Sequence, residues 1–150
     1  MSSNTSAVVG AEMIDVLNEN GEKTGRTATR DEVHRNGLWH KVVAVAVLNK
    51  NNQILLQQRS GNKLTNPNKW DIATAGHINA GEESLESAKR ELAEEVGINA
   101  NEFEYMLSYS KQSQPVTREG LYKDNQIADC FLVRVLEVNL NKLKLQKEEV

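Results

Sequence analysis

The segment GHINAGEESLESAKRELAEEVGI, residues 76–98, carries a helix and a chemical anomaly together. Leu85, Ala88, Leu92 and Val96 fall within about 80° of one another at 100° per residue, so the spacing predicts an amphipathic helix over Ser84–Val96. Gly97 stands where a helix C-terminus takes a left-handed residue. Glu91, Glu94 and Glu95 lie at i, i+3 and i+4, a face centred about 110° from the apolar stripe. Like charges at that spacing cost a few tenths of a kcal/mol per pair, roughly, in an isolated helix. The negative end of the helix dipole lies beside two of them and disfavours them further. Two readings follow: a solvated acidic face, or a cluster of oxygen donors awaiting a hard cation such as Mg²⁺ or Mn²⁺.

Outward from this helix the chain alternates strand patterns with turn signals. Glu12–Asn18 and Lys23–Thr29, joined through Glu19-Asn20-Gly21, predict an N-terminal hairpin. Arg30–Arg35 predicts a short helix ended by Gly37. Trp39–Asn49, rich in valine, suits a central strand covered on both faces. Lys50-Asn51-Asn52 turns into a second strand, Gln53–Gln58, expected to pair with it. Ser60–Lys69, with Gly61 and Pro67, reads as a loop. Trp70–Ala75 predicts a short strand, and Phe103–Ser110 and Ile127–Val138 predict later ones. The fold class expected is α/β (α+β), a mixed sheet with few helices, in one domain over residues 1–150.

Bulk properties narrow the function. The 150 residues carry a net charge of −3, which argues against nucleic acid as a partner, because a phosphate backbone selects a basic face. A small phosphorylated ligand is compatible if a cation lies between the two negative partners. No apolar run reaches the length of a membrane span, and Met1–Gly10 lacks the layout of a secretory signal and reads as a frayed tail. The single cysteine, Cys130, cannot form an intramolecular disulfide and suits a reducing cytoplasm. The charged end, Lys147-Glu148-Glu149-Val150, resembles the approach to another element, so a truncated or minimal domain is expected.

Beyond the three glutamates, the spacing is specific. Gly76, five residues, Glu82, seven residues, Arg90-Glu91-Leu92, one residue, Glu94-Glu95, one residue and Gly97-Ile98 match the signature of the Nudix hydrolases. Seven identities at about one in fifteen each make a chance match on the order of one in 10⁸ per start. The chain therefore resembles a Nudix enzyme. Leu55-Leu56-Gln57-Gln58-Arg59, Trp70-Asp71 and the Ile127–Val138 strand extend the resemblance. It implies an α/β/α sandwich around a mixed β-sheet and hydrolysis of a diphosphate linkage in a nucleoside diphosphate derivative or similar small diphosphate. It further implies Mg²⁺ or Mn²⁺ held by Glu91, Glu94 and Glu95, with the Gly76 carbonyl as a further ligand and Arg90 orienting a glutamate through a bidentate pair. Glu82 is expected to brace the loop. The general base is open between Glu94, Glu95 and a loop group near the C-terminus. Homodimers are common among the relatives.

Within the superfamily the sequence is most similar to the branch around isopentenyl-diphosphate isomerase, through the hairpin, His34, His40, Gln58-Arg59-Ser60, Trp70-Asp71 and Ala75-Gly76-His77. Isomerases protonate an alkene with a cysteine before the Gly-His pair, and here Ala75 has no proton to give. Their glutamate on a later strand aligns with Gln126. Isomerase activity is therefore the alternative, with a non-catalytic nucleotide-diphosphate binding module as another. Related isomerases gather histidines around a metal, but His34, His40 and His77 are read here as structural hydrogen-bonding groups. Cys130 is expected in the core, as is Trp70. Arg59 and Lys63 are candidate phosphate-binding residues, with a solvated loop charge as the equal alternative. Ser60–Lys69 and Ser110–Asn125 are the loops expected to set specificity.

Overall fold

The computed structural model of the chain describes residues 12–143 and 145. The expected N-terminal tail and the charged C-terminal stretch lie outside the described residues. Strands β1 (Met13–Leu17) and β2 (Lys23–Thr29) form the antiparallel hairpin. Its turn is tied by Asn18, whose Oδ1 accepts from the amides of Asn20 and Glu22 at 2.9 and 3.0 Å. Helix α1 (Arg30–Asn36) follows at once, because Thr29 caps it by accepting from the Glu32 amide. Gly37, at φ 65°, stops it with a left-handed residue. Ile14, Val16, Ala28 and Val33 form a small core between hairpin and helix.

The central sheet has four strands in the order β6-β3-β10-β7: β3 (His40–Leu48), β6 (Thr74–His77), β7 (Glu104–Ser113) and β10 (Asp124–Arg134). β3 and β10 run parallel in the middle, and both outer pairings are antiparallel. The predicted helix, α2 (Ser84–Val96), covers one face. Val43, Val45, Val47, Phe131 and Val133 meet Ala88, Leu92 and Val96 there in the main core. The alternate residues of β3, including His40, Val42 and Ala44, point to the opposite face, where β6 brings His77 opposite Val42. The site lies where that face meets α2 at the β6 edge of the sheet.

Four expectations change. Gln53–Gln58 does not pair continuously with β3. It keeps a bridge from Ile54 to Leu48, then forms β4 (Leu56–Gln58) against β5 (Trp70–Ile72) in a separate ribbon. Asn52 in the left-handed region and the Asn49 side chain, which accepts from Asn51 and Gln53 amides, turn the chain away. The expected Trp70–Ala75 strand divides into β5 and β6 at Ala73, whose buried carbonyl is taken by the Gln57 amide at 2.9 Å instead of a strand partner. Leu85 is exposed, since only the later turns of α2 lie over the sheet core. Part of the Ser110–Asn125 loop is ordered as a second ribbon, β8 (Val116–Thr117) with β9 (Gly120–Leu121).

Candidate active site

Strand β6 and helix α2 meet so closely that residue 76 has to lack a side chain. A Cβ on Gly76 would lie 2.5 Å from the Glu91 carboxyl carbon and 2.7 Å from both its oxygens. The glutamates do not share one environment, as a simple acidic face would require. Glu95 is buried: its Oε2 accepts a short hydrogen bond from the Thr74 hydroxyl, with the Gln57 amide at 3.5 Å. Glu91 is largely buried and Glu94 is half-exposed. Burial pushes the Glu91 pKa up, with Glu94 adding to the rise, against the lowering by Glu95 and Arg90. The solvated-face reading fails on this geometry.

Arg90 organises the cluster. Its bidentate pair is with Glu82, through Nε and Nη2 at 3.0 Å each. Its Nη1 donates to Glu91 at 3.0 Å and Glu94 at 3.2 Å, and Nη2 also reaches the His77 carbonyl. The Arg90 hydrogen bonds hold the Glu82 carboxyl below its ordinary pKa. Glu82 also accepts from the Asn79 amide at 3.3 Å, so it ties the loop before α2 to the helix.

The histidines, read one at a time in the sequence, converge in the structure. One ring nitrogen from each of His34, His40 and His77 lies within 4.8 Å of the others. The Nδ1 atoms of His34 and His40 donate to the carbonyls of Lys123 and Leu38, at 3.0 Å each, which turns their Nε2 lone pairs inward. His34 Nε2 lies 3.0 Å from His77 Nε2, so His77 carries the proton between them. Asp124 enters beside them, its Oδ1 3.7 Å from His40 Nε2. Among the described residues those two atoms are buried side-chain polar atoms without a hydrogen-bond partner. Burial lowers the pKa of all three histidines, His34 to about 4 and His77 well below its ordinary value, which keeps them in the neutral form that binds cations. Asp124 was missed in the sequence. The available signal was period two: it precedes Gln126 by two residues on one strand and shares its face.

The three glutamates, His77 and Asp124 line one cleft of about 500 Å³, with Arg30, Arg59, Lys63, Lys69 and Lys111 on its walls. Arg59 is committed to the loop, donating to the carbonyls of Thr65 and Asn66, with Asp71 at 3.6 Å. Trp70 is not in the core: 67% exposed, it lines the cleft. β5 belongs to the small ribbon rather than the central sheet, which leaves that ring largely exposed. Tyr122 stacks on His34, centroids 4.0 Å apart. Cys130 is half-buried, because it faces the cleft side of β10 rather than α2. Ala75 lies opposite Ala44 on the cleft wall, and Gln126 lies opposite His40.

The NUDIX domain family profile matches residues 38–150, and the chain belongs to that family. It is 43% identical over 141 residues to Nudix hydrolase 3 of Arabidopsis thaliana, covering 93% of this chain but 18% of that protein. It is 37% identical over 136 residues to the Nudix hydrolase lmo0368 of Listeria monocytogenes, covering 91% of this chain and 74% of the relative. Isopentenyl-diphosphate Delta-isomerases are more distant, at 35% over 83 residues for that of Pectobacterium atrosepticum. Among solved structures, DR0079 of Deinococcus radiodurans superposes with a TM-score of 0.70 at 20% identity, over 93% of this chain and 79% of that one, a likeness of fold.

Proposed function

We propose that the chain is a divalent-metal-dependent hydrolase that cleaves the diphosphate linkage of a nucleoside diphosphate derivative or similar small diphosphate in the cytoplasm. The supporting observation is the packing of three glutamates at the floor of a cleft whose walls carry cations. The donor set fits Mg²⁺ or Mn²⁺, because it is all oxygen and its own repulsion is relieved by a proton or a cation. Glu91, Glu94 and Glu95, with the Gly76 carbonyl, would hold the ion. When bound, it would neutralise phosphate oxygens and lower the pKa of water.

The chain's own residues do the rest. Arg90 fixes the Glu91 and Glu94 carboxylates, so their oxygens do not reorganise as charge develops at phosphorus. Thr74 and Gln57 hold one oxygen of Glu95 in place. Half-exposed Glu94 has the water access that a general base needs, and Lys63 on the wall supplies charge for the distal phosphate. The histidine cluster is the one feature that favours the isomerase alternative. Neither Ala75 nor Gln126 titrates, however, so alkene protonation lacks its acid, and hydrolysis stands.

The test is a diphosphate panel incubated with Mg²⁺ in ¹⁸O-water, and in parallel in deuterium oxide, each read by mass spectrometry. The expected result is monophosphate or phosphate carrying one ¹⁸O. Deuterium uptake into isopentenyl diphosphate, with every other substrate intact, would replace this reading by the isomerase one.

A further inference from the structure

The loop between β4 and β5 carries Lys63, and two arginines take up its backbone oxygens. Arg59, at the base of the loop, donates to the carbonyls of Thr65 and Asn66, and the Gln58 amide donates to that of Asn68 at 3.1 Å. These bonds secure the returning half, where Asn66 and Asn68 take left-handed backbone angles, φ 47° and 61°. The outgoing half is a tight turn of its own. There the Asn62 amide donates to Ser60 Oγ and the Lys63 amide to the Ser60 carbonyl, at 3.2 Å each.

The second arginine comes from the facing loop. Arg118, in the turn of the β8–β9 ribbon, donates from Nη1 to the Lys63 carbonyl at 3.3 Å and from Nη2 to the Asn62 carbonyl at 3.0 Å. The ribbon that carries it is braced at both ends. Thr117 closes the turn by donating to the Gly120 carbonyl at 2.8 Å and accepting from the Glu119 amide at 3.2 Å. At the root, the Tyr122 amide donates to the Pro115 carbonyl and the Lys123 amide to the His34 carbonyl, at 2.9 Å each, which ties the ribbon to α1. A series of bonds thus runs from α1 through the ribbon to the peptide groups of Asn62 and Lys63.

We infer that Arg118 is a positioning residue for the reaction: by clamping the backbone of Lys63 from the facing loop, it aims that ammonium group at the phosphates in the cleft. The inference rests on the hydrolase reading, in which Lys63 meets the distal phosphate. Lys63 is half-buried and lines the cleft, whereas Arg118 is exposed and lies outside the cleft lining. Arg118 therefore acts through Lys63 rather than on the ligand. A lysine carries a compact charge on a flexible four-carbon stem, and the planar fork of an arginine matches two adjacent carbonyls. Fixing the lysine backbone removes part of the ordering cost that ligand binding would otherwise meet. Two other roles for Arg118, a charge acting at long range and a brace for the whole fold, predict different results.

The experiment measures binding of methylenediphosphonate with Mg²⁺ by calorimetry, using the full chain as wild type, Arg118→Ala, Lys63→Ala and the double variant. Arg118→Ala is expected to weaken the probe about fivefold, and Lys63→Ala about tenfold. In the Lys63→Ala background, Arg118→Ala should change binding less than about twofold, because its effect is carried by Lys63. Thr117→Val, which loosens the ribbon turn and leaves Arg118 in place, should weaken the probe about twofold to threefold. In turnover, Arg118→Ala should raise KM about fivefold with kcat nearly constant. Wild-type affinity in Arg118→Ala, or no binding of the probe by the wild type, overturns the inference. An undiminished loss in the Lys63→Ala background overturns it as well, since the arginine would then act by its own charge or through the fold. Failure of the hydrolase reading looks different: the coupled losses of probe binding persist while no diphosphate is cleaved.

Discussion

The carboxylates of α2 and the histidines behind them are both groups of potential cation ligands, yet they are assembled in opposite ways. Glu91, Glu94 and Glu95 lie within two turns of one helix and crowd one another by local geometry alone. His34, His40, His77 and Asp124 come from α1, β3, β6 and β10, and meet only once the sheet is built. Burial raises the pKa of Glu91 in the first group, whereas burial lowers those of the histidines in the second. A locally written site advertises itself as an electrostatic anomaly, whereas an assembled one is invisible until strand register places it.

The comparison breaks most readily at the glutamates. Glu94→Gln combined with Glu95→Gln should lower Mg²⁺-dependent turnover by about 10³-fold or more, while His34→Gln lowers it less than about tenfold. Phosphate release measured on both variants checks the ranking, and a reversed order would move the chemistry to the histidines.

Gly76→Ala comes next. The added methyl would meet the Glu91 carboxylate at 2.5 Å, so the glutamate has to move. Loss of about 1–3 kcal/mol in urea unfolding is expected, together with a fall in turnover of about 10²-fold. Full activity would show that the position of Glu91 is immaterial.

Acid sharpens the contrast through opposite signs. Burial holds the folded His34 pKa at about 4, below the ordinary 6.5, so the unfolded chain binds the proton more readily. Its stabilisation is present above pH 6.5 and is lost as pH falls from 6.5 towards 4, by roughly 3 kcal/mol at most. Glu91 has a raised folded pKa, so the cost of its charge is relieved as pH falls. In metal-free protein, His34→Gln should flatten the decline in urea midpoint between pH 6.5 and 4, and Glu91→Gln should steepen it. Parallel curves for wild type and His34→Gln would refute the assignment.

The smallest effect is at Arg90→Lys. Lysine keeps the charge but cannot make the fork to Glu82 while also holding Glu91 and Glu94. A drop of about tenfold in kcat, with KM changed less than about twofold, is expected in steady-state kinetics.

The sheet class, the hairpin, both helices and the glutamate cluster were legible because each rests on short periodicities. Gly97 and Thr29 mark helix ends within a residue. The rest depended on partners distant in sequence. Trp70 looks like a core residue until its strand is seen to pair in a two-stranded ribbon that leaves the ring largely exposed. The histidines look like isolated polar groups because none has another within five residues. Arg90 and Glu82 were both recognised, but their pairing with each other was not. An arginine amid several carboxylates has several partners of similar charge, and only the loop geometry chooses among them.

The parallel pairing of β3 with β10 has a kinetic consequence. With β4 to β9 and α2 all intervening, Gln126 comes opposite His40 only after a very long loop has closed. Such closure pays its entropy before contacts repay it and slows folding. His40 and Asp124 stand at the start of those two strands, so the histidine cluster forms late, in the step that completes the sheet. A nascent chain would thus display its glutamates to passing ions well before it could offer them any imidazole.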